Sequence, residues 1–323
     1  MPSTITTQSK STEQPNIESK PNEVTQYYYP DPVSQQVIQQ WLFMDLLPWQ
    51  QPTWQYLTTH LHALPHAMLF AGNAGTGKRA FVYRFVAWAL CENQRDNAQG
   101  VTTACGQCQS CQWLIANTHP DLYQIPKPTV ARGASPTPKA NNTLVAQAPT
   151  HQSGYSIKID EIRELQPFVT QSSGGLRIVV IHQADAMTLA ASNALLKTLE
   201  EPAENVLMLL ISDSPSQLLP TIRSRLQSFS VSHITPDQSM QAMQQLLPHT
   251  DTATLQQVSE LSGYAPFLAL QMLNSEWYQH RQTWINSFQA VRSGQRTPVQ
   301  ASNYWQKTLT LTDFLYLSQA LLV

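Results

Sequence analysis

Charge is the first thing this sequence is short of. Asp, Glu, Lys and Arg make up 12% of its 323 residues, against about a quarter in an ordinary soluble chain. The polar surface therefore falls mainly to Gln, Ser, Thr and Asn. A net charge of −2 leaves no basic footprint for nucleic acid, so any work on DNA is expected to run through partners. Long apolar runs are missing too. Stretches such as Val206–Ile211 fall far short of the roughly 20 residues that cross a bilayer. Residues 1–26 carry Lys10 and Lys20 among polar residues, with no apolar core of a signal peptide. Four cysteines are too few for a secreted disulfide scaffold. A soluble cytoplasmic protein with no membrane contact is expected. Its 42% apolar content is ordinary, and its length allows two or three domains.

Residues 1–45 read as a disordered, low-complexity extension, with a possible docking segment starting at Tyr27-Tyr28-Tyr29-Pro30. From residue 46 the chain becomes globular. Five apolar runs read as buried strands: His66–Ala71, Asp121–Ile125, Arg177–Ile181, Val206–Ile211 and Leu226–Val231. Helical patterns begin between them, near Lys78, Asp160 and Ala190. This alternation predicts an α/β domain over 46–232, with a parallel five-stranded sheet covered by helices on both faces. Residues 127–152, rich in Pro, Ala, Thr, Gln and Asn, read as a disordered insertion, which costs little closure entropy. Strands cease after residue 232. Small helical domains follow over 233–275 and 276–323. The last helix is expected to start at Thr312-Asp313 and to run on in an apolar pattern with no stop signal. Such an end implies either a covering partner or a chain shorter than its relatives.

Gly72-Asn73-Ala74-Gly75-Thr76-Gly77-Lys78-Arg79 joins the first strand to a helix, the context of a phosphate-binding loop. Gly72, Gly75, Thr76 and Gly77 would turn backbone N–H groups onto phosphates, and Lys78 would reach the outer ones. A purely structural Gly-rich turn is the competing reading. The hydroxyl residue that normally follows the lysine and holds Mg²⁺ is replaced by Arg79. The strand Ile178–Ile181 ends in His182-Gln183, where P-loop ATPases carry an Asp for Mg²⁺ and a Glu for the attacking water. Neutral His is a poor Mg²⁺ ligand and Gln accepts no proton. Hydrolysis is therefore not expected, while ATP binding stays open.

Cys105-x₂-Cys108-x₂-Cys111 is a tight trio, and thirteen residues separate it from Cys91. Four thiolates satisfy tetrahedral Zn²⁺ and close its shell, so the expected metal is structural. Buried free thiols are the alternative.

Other segments carry a family resemblance. Asn193-Ala194-Leu195-Leu196-Lys197-Thr198-Leu199-Glu200-Glu201-Pro202, Pro220-Thr221-Ile222-Arg223-Ser224-Arg225-Leu226, Thr118-His119-Pro120-Asp121 and the cysteine cluster together resemble bacterial clamp-loader AAA+ subunits of DNA polymerase III. The resemblance spans roughly residues 46–275. The family has ATPase members of gamma/tau type and a non-hydrolysing delta-prime type. The missing hydroxyl after Lys78, the His182-Gln183 pair and Pro266 at the place of a sensing arginine resemble the second type. Leu226 departs from the family's Ser-Arg-Cys. The resemblance implies a five-subunit ring that opens a sliding clamp onto primed DNA, with gamma/tau and delta subunits as partners. It also implies that Arg225 serves as an arginine finger to the neighbour's ATP, with Arg223 as its competitor. Residues 276–323 would be a short version of the family's helical collar. Two other readings compete: an active gamma/tau-like ATPase, and a zinc-module nucleic-acid binder on an AAA+ scaffold.

Overall fold

The structure is a computed structural model that describes residues 41–43, 45–97, 100–127, 156–171, 174–231 and 233–319. Residues 1–40 of the predicted extension and 128–152 of the predicted insertion lie outside these. A short 3₁₀ turn, Pro48–Gln50, leads into α1 (Gln51–Thr59) and β1 (Ala67–Ala71). Then come α2 (Lys78–Leu90), a small hairpin of β2 (Arg95–Asp96) and β3 (Thr102–Thr103), α3 (Gln109–Ile115) and β4 (Leu122–Ile125). The α/β unit finishes with α4 (Ile159–Thr170), β5 (Arg177–Ile181), α5 (Leu189–Glu200), β6 (Val206–Ser212), α6 (Pro220–Arg223) and β7 (Gln227–Ser230). Among the described residues only helices follow: α7 (Pro236–Leu246), α8 (Thr252–Leu261), α9 (Pro266–Leu273), α10 (Glu276–Gln279), α11 (Arg281–Arg292), α12 (Pro298–Thr308) and α13 (Leu311–Gln319).

The five predicted strands form one parallel sheet in the order β4-β5-β6-β1-β7, and their ends agree with the prediction to within one residue. Successive side chains alternate between faces. Met68, Phe70, Ile178, Val180, Leu207 and Leu209 pack on the side of α2. Ala67, Leu69, Val179, Ile181, Met208 and Leu210 pack on the side of α4 and α5. Both faces are covered, which is why these strands read as unbroken apolar runs. The fifth strand corrects the prediction of a buried strand. β7 is at the sheet edge, and Gln227, Ser228 and Ser230 are exposed.

Two further boundaries differ. Trp41 and Leu42, predicted to lie in the extension, are buried at 1% exposure, and the Trp41 ring sits 5.7 Å from Tyr83. The Gln-rich stretch just before them masks two anchors. The last helix begins at Leu311 rather than at Thr312-Asp313, and the Phe314 N–H donates to the Thr310 carbonyl at 3.0 Å.

Two of the helices are capped by Thr and Gln. The Gln238 N–H donates to Thr235 Oγ1 at 3.2 Å, and the Thr235 N–H donates to Gln238 Oε1 at 3.1 Å. Thr297 and Gln300 repeat the arrangement at α12. Each box satisfies two amides that the helix start leaves open, with Pro at the first helical position. Helices α7 to α9 enclose Met243, Leu255, Val258, Phe267 and Leu270, and Leu47 and Trp49 from ahead of α1 join that cluster. Helices α10 to α13 gather around Trp277, Trp305, Leu309 and Leu317. No helix among the described residues is long and apolar enough to cross a membrane.

Candidate functional site

The glycine-rich loop runs from the end of β1 to the start of α2, as predicted. Gly75 (φ 75°) and Gly77 (φ 87°) adopt left-handed backbone, which other residues reach only with strain. Space is a second reason for Gly75. A Cβ there would lie 2.5 Å from Leu268 Cβ and 2.6 Å from the Leu268 nitrogen. Helix α9 thus seats its N-terminus directly on the loop, and the Phe267 N–H donates to the Gly75 carbonyl at 3.0 Å. Trp49 Nε1 donates to the Thr76 carbonyl at 3.2 Å, and Gln50 Nε2 to the Gly77 carbonyl at 3.3 Å.

Lys78, Arg79 and Thr76 are buried. Lys78 Nζ donates to the carbonyls of Gly72 at 2.8 Å and Asn73 at 2.6 Å, and pairs with Asp213 Oδ1 at 2.6 Å. Burial lowers the Lys78 pKa, opposed chiefly by Asp213. Asp213 directly follows β6, at the carboxyl end of the sheet. Its own N–H donates to Asp185 Oδ1 at 3.2 Å. Sequence reasoning missed Asp213; its signal is its place one residue beyond a strand that neighbours β1.

His182 lies buried at the end of β5. Its Nε2 is 2.6 Å from the Tyr83 hydroxyl, which also donates to Gln124 Oε1. Gln124 Nε2 donates in turn to Asn117 Oδ1 at 2.9 Å. Tyr83 has one proton and gives it to Gln124, so His182 must carry its proton on Nε2. Its Nδ1 has no hydrogen-bond partner among the described residues. Burial pushes the His182 imidazole down to about 3, and the Arg79 guanidinium pushes the same way. The strand end and the position after the loop lysine thus carry a neutral imidazole and a buried guanidinium.

Cys91, Cys105, Cys108 and Cys111 converge as predicted, with all four Sγ atoms within 4.8 Å of one another. Cys91 follows the last residue of α2 and Cys108 caps α3. The Cys91–Cys108 and Cys105–Cys111 Sγ distances are both 3.9 Å. Tetrahedral zinc with Zn–S near 2.3 Å sets its sulfurs about 3.8 Å apart. Backbone N–H groups of Gln107 and Cys108 donate to Cys105 Sγ and hold its thiol down to about 6. Burial pushes Cys91 and Cys111 up. This donor set fits a soft, four-coordinate ion. His119, from the Thr118–Asp121 motif, ties the cluster to the sheet. Its Nδ1 accepts from the Asp121 N–H at 3.0 Å, and its Nε2 lies 2.9 Å from Ser110 Oγ.

Arg225 stands apart from the loop and the cysteines. It is exposed, two residues beyond α6. Its guanidinium pairs with Glu200 Oε1 at 2.6 Å and donates to the Thr221 carbonyl at 2.8 Å. Glu200 ends α5, the helix of the Asn193–Pro202 signature. Two segments singled out in the sequence thus meet at this arginine. Arg223 is also exposed.

The chain is similar to known proteins. The profile of the family described as "DNA polymerase III, delta subunit" matches residues 49–235. The DNA polymerase III subunit delta' of Pseudomonas aeruginosa is 38% identical over 70% of this chain and 60% of its own length. The Escherichia coli protein of the same name is 29% identical over 73% of this chain and 63% of its own. A DNA polymerase III subunit gamma/tau of Mycobacterium bovis is 30% identical over 55% of this chain but only 26% of its own. This chain therefore spans about three fifths of the two delta' relatives. The matched profile covers the sheet, the loop and the cysteine cluster together, and the chain belongs to the DNA polymerase III delta-subunit family, in its delta-prime branch.

Proposed function

We propose that the chain is a non-hydrolysing clamp-loader subunit. In this reading it joins gamma/tau and delta partners in the cytoplasm and helps place a sliding clamp on primed DNA. It contributes to a DNA polymerase holoenzyme without turning over ATP itself. One observation carries this reading: Arg79 and neutral His182 stand where a working P-loop ATPase holds Mg²⁺. Phosphoryl transfer relies on positioned charge, and at these two positions the chain holds an arginine and a neutral histidine in place of a metal ligand and a general base. The four cysteines hold structural zinc and brace α2 against β4. Zinc supplies no chemistry there, because four thiolates leave it no open position.

Arg225 is the arginine finger in trans. Its exposure, and its hold on a single surface carboxylate, support that role. An exposed ion pair contributes only about 0–1 kcal/mol, so a phosphate presented by a neighbour can replace Glu200. Exposed Phe288 and Leu311 line one cleft on the C-terminal helices, an apolar face that suits packing against other collar helices.

The test is an assembled complex with the gamma/tau and delta subunits of the same organism. Arg225→Ala is expected to leave assembly intact and to cut clamp- and DNA-stimulated ATPase by about 10³-fold, the lower range for arginine fingers. Unchanged ATPase and clamp loading would remove Arg225 from the role, and a loss on Arg223→Ala instead would transfer it. ATP turnover by the isolated chain, abolished by Lys78→Ala, would replace the reading with a gamma/tau-like ATPase.

A further inference from the structure

Lys78 has three N–H donors, and each has an acceptor inside the chain: the Gly72 carbonyl, the Asn73 carbonyl and Asp213 Oδ1. The lysine side chain is 3% exposed, whereas that of Asp213 is 30% exposed. The acid is thus the solvent-facing side of the pair. Asp185 adds a second carboxylate, which acts on Lys78 electrostatically and is tied to Asp213 by the 3.2 Å hydrogen bond. An incoming phosphate would find no free donor on Lys78 and two negative charges beside it. The loop is also tied down from its carbonyl side. The carbonyls of Gly75, Thr76 and Gly77 are held by Phe267, Trp49 and Gln50.

We infer that Asp213 is a built-in substitute for nucleotide phosphate: its carboxylate occupies Lys78 and shuts the loop, so that phosphate binding and the Lys78–Asp213 pair exclude each other. This goes beyond the proposed subunit role. It concerns the chain alone and holds or fails whatever partners the chain takes. The physical basis is charge. A buried ammonium needs one anionic partner, and two anions competing for it at hydrogen-bond distance repel each other. Asn at position 213 keeps the oxygen that faces Lys78 and the backbone link to Asp185, and removes only the charge.

The full chain is titrated with ADP, with and without Mg²⁺, by calorimetry. Wild type is expected to bind none at millimolar ADP. Asp213→Asn is expected to gain at least about tenfold in affinity, which is about 1.4 kcal/mol, and Lys78→Met in that background is expected to abolish the gain. Circular dichroism checks each variant, with Asp213→Ser as the second choice if the first does not fold. Micromolar binding by wild type that Lys78→Met removes would overturn the inference. So would a folded Asp213→Asn that binds no better than wild type, or a gain that survives loss of Lys78. If both position-213 variants are unfolded, the pair is a structural ion pair and the phosphate gate is rejected.

Discussion

His182 is a single side chain whose charge is set by its burial. Its imidazole is buried, holds its proton on Nε2 toward Tyr83, and is pushed down to about 3. The unfolded chain binds that proton near the ordinary value of about 6.5, whereas the folded chain resists it. Between those values the unfolded state holds more protons, so stability falls as pH drops from about 6.5 toward 3, by up to about 1.4 kcal/mol per pH unit. His182→Gln removes the titrating group. Urea midpoints measured from pH 7 to pH 4 should fall more steeply for wild type than for this variant. Equal slopes would mean that His182 is not held neutral. Nothing in the sequence beyond the wrong residue at a strand end pointed to this. The partners that fix the imidazole lie 99 and 58 residues away in the chain, at Tyr83 and Gln124.

At the scale of elements, the cysteine module is the part whose chemistry was most legible. Spacing alone predicted that four thiols would meet, and the Sγ atoms lie within 4.8 Å. The hairpin between them was not legible, because β2 and β3 have two residues each and present no apolar alternation. What the module braces is also a matter of packing. Ser110 Oγ donates to the Leu90 carbonyl at the end of α2 and meets His119, three residues ahead of β4. Protein purified without chelator should carry about one zinc per chain. Cys111→Ser should lose it and cost at least about 5 kcal/mol of local stability, since structural zinc binds with about 10–16 kcal/mol in small fingers. Metal analysis and limited proteolysis across residues 91–111 are the measurements. Four titratable native thiols and no metal would sink the zinc reading.

Across the whole molecule, core size sets the order of stability. The sheet buries apolar side chains on both faces, whereas α10 to α13 gather around Trp277, Trp305, Leu309 and Leu317 and leave Phe288 and Leu311 exposed. Local opening free energy follows buried apolar contact. Native-state hydrogen exchange is therefore expected to be slowest in β5 and β6 and fastest among the backbone amides of the C-terminal helices. The gap should be a few kcal/mol in the isolated chain, on the order of 2 or more. Equal protection throughout would show that the helical segment is an integral part of the sheet domain. If a partner covers the apolar face, assembly should narrow the gap.

The sequence by itself determined the strands, the glycine turn and the meeting of the cysteines. Each of these depends on residue type over a short stretch: apolar runs for strands buried on both faces, glycines for left-handed backbone, and tight spacing for thiolates. Only the tertiary structure decided that β7 is an exposed edge, that Trp41 belongs to the core, that α9 closes on Gly75, and that Lys78 already has its anion in Asp213. Those facts depend on which distant segments the packed sheet brings to one end, and a one-dimensional pattern carries no term for that.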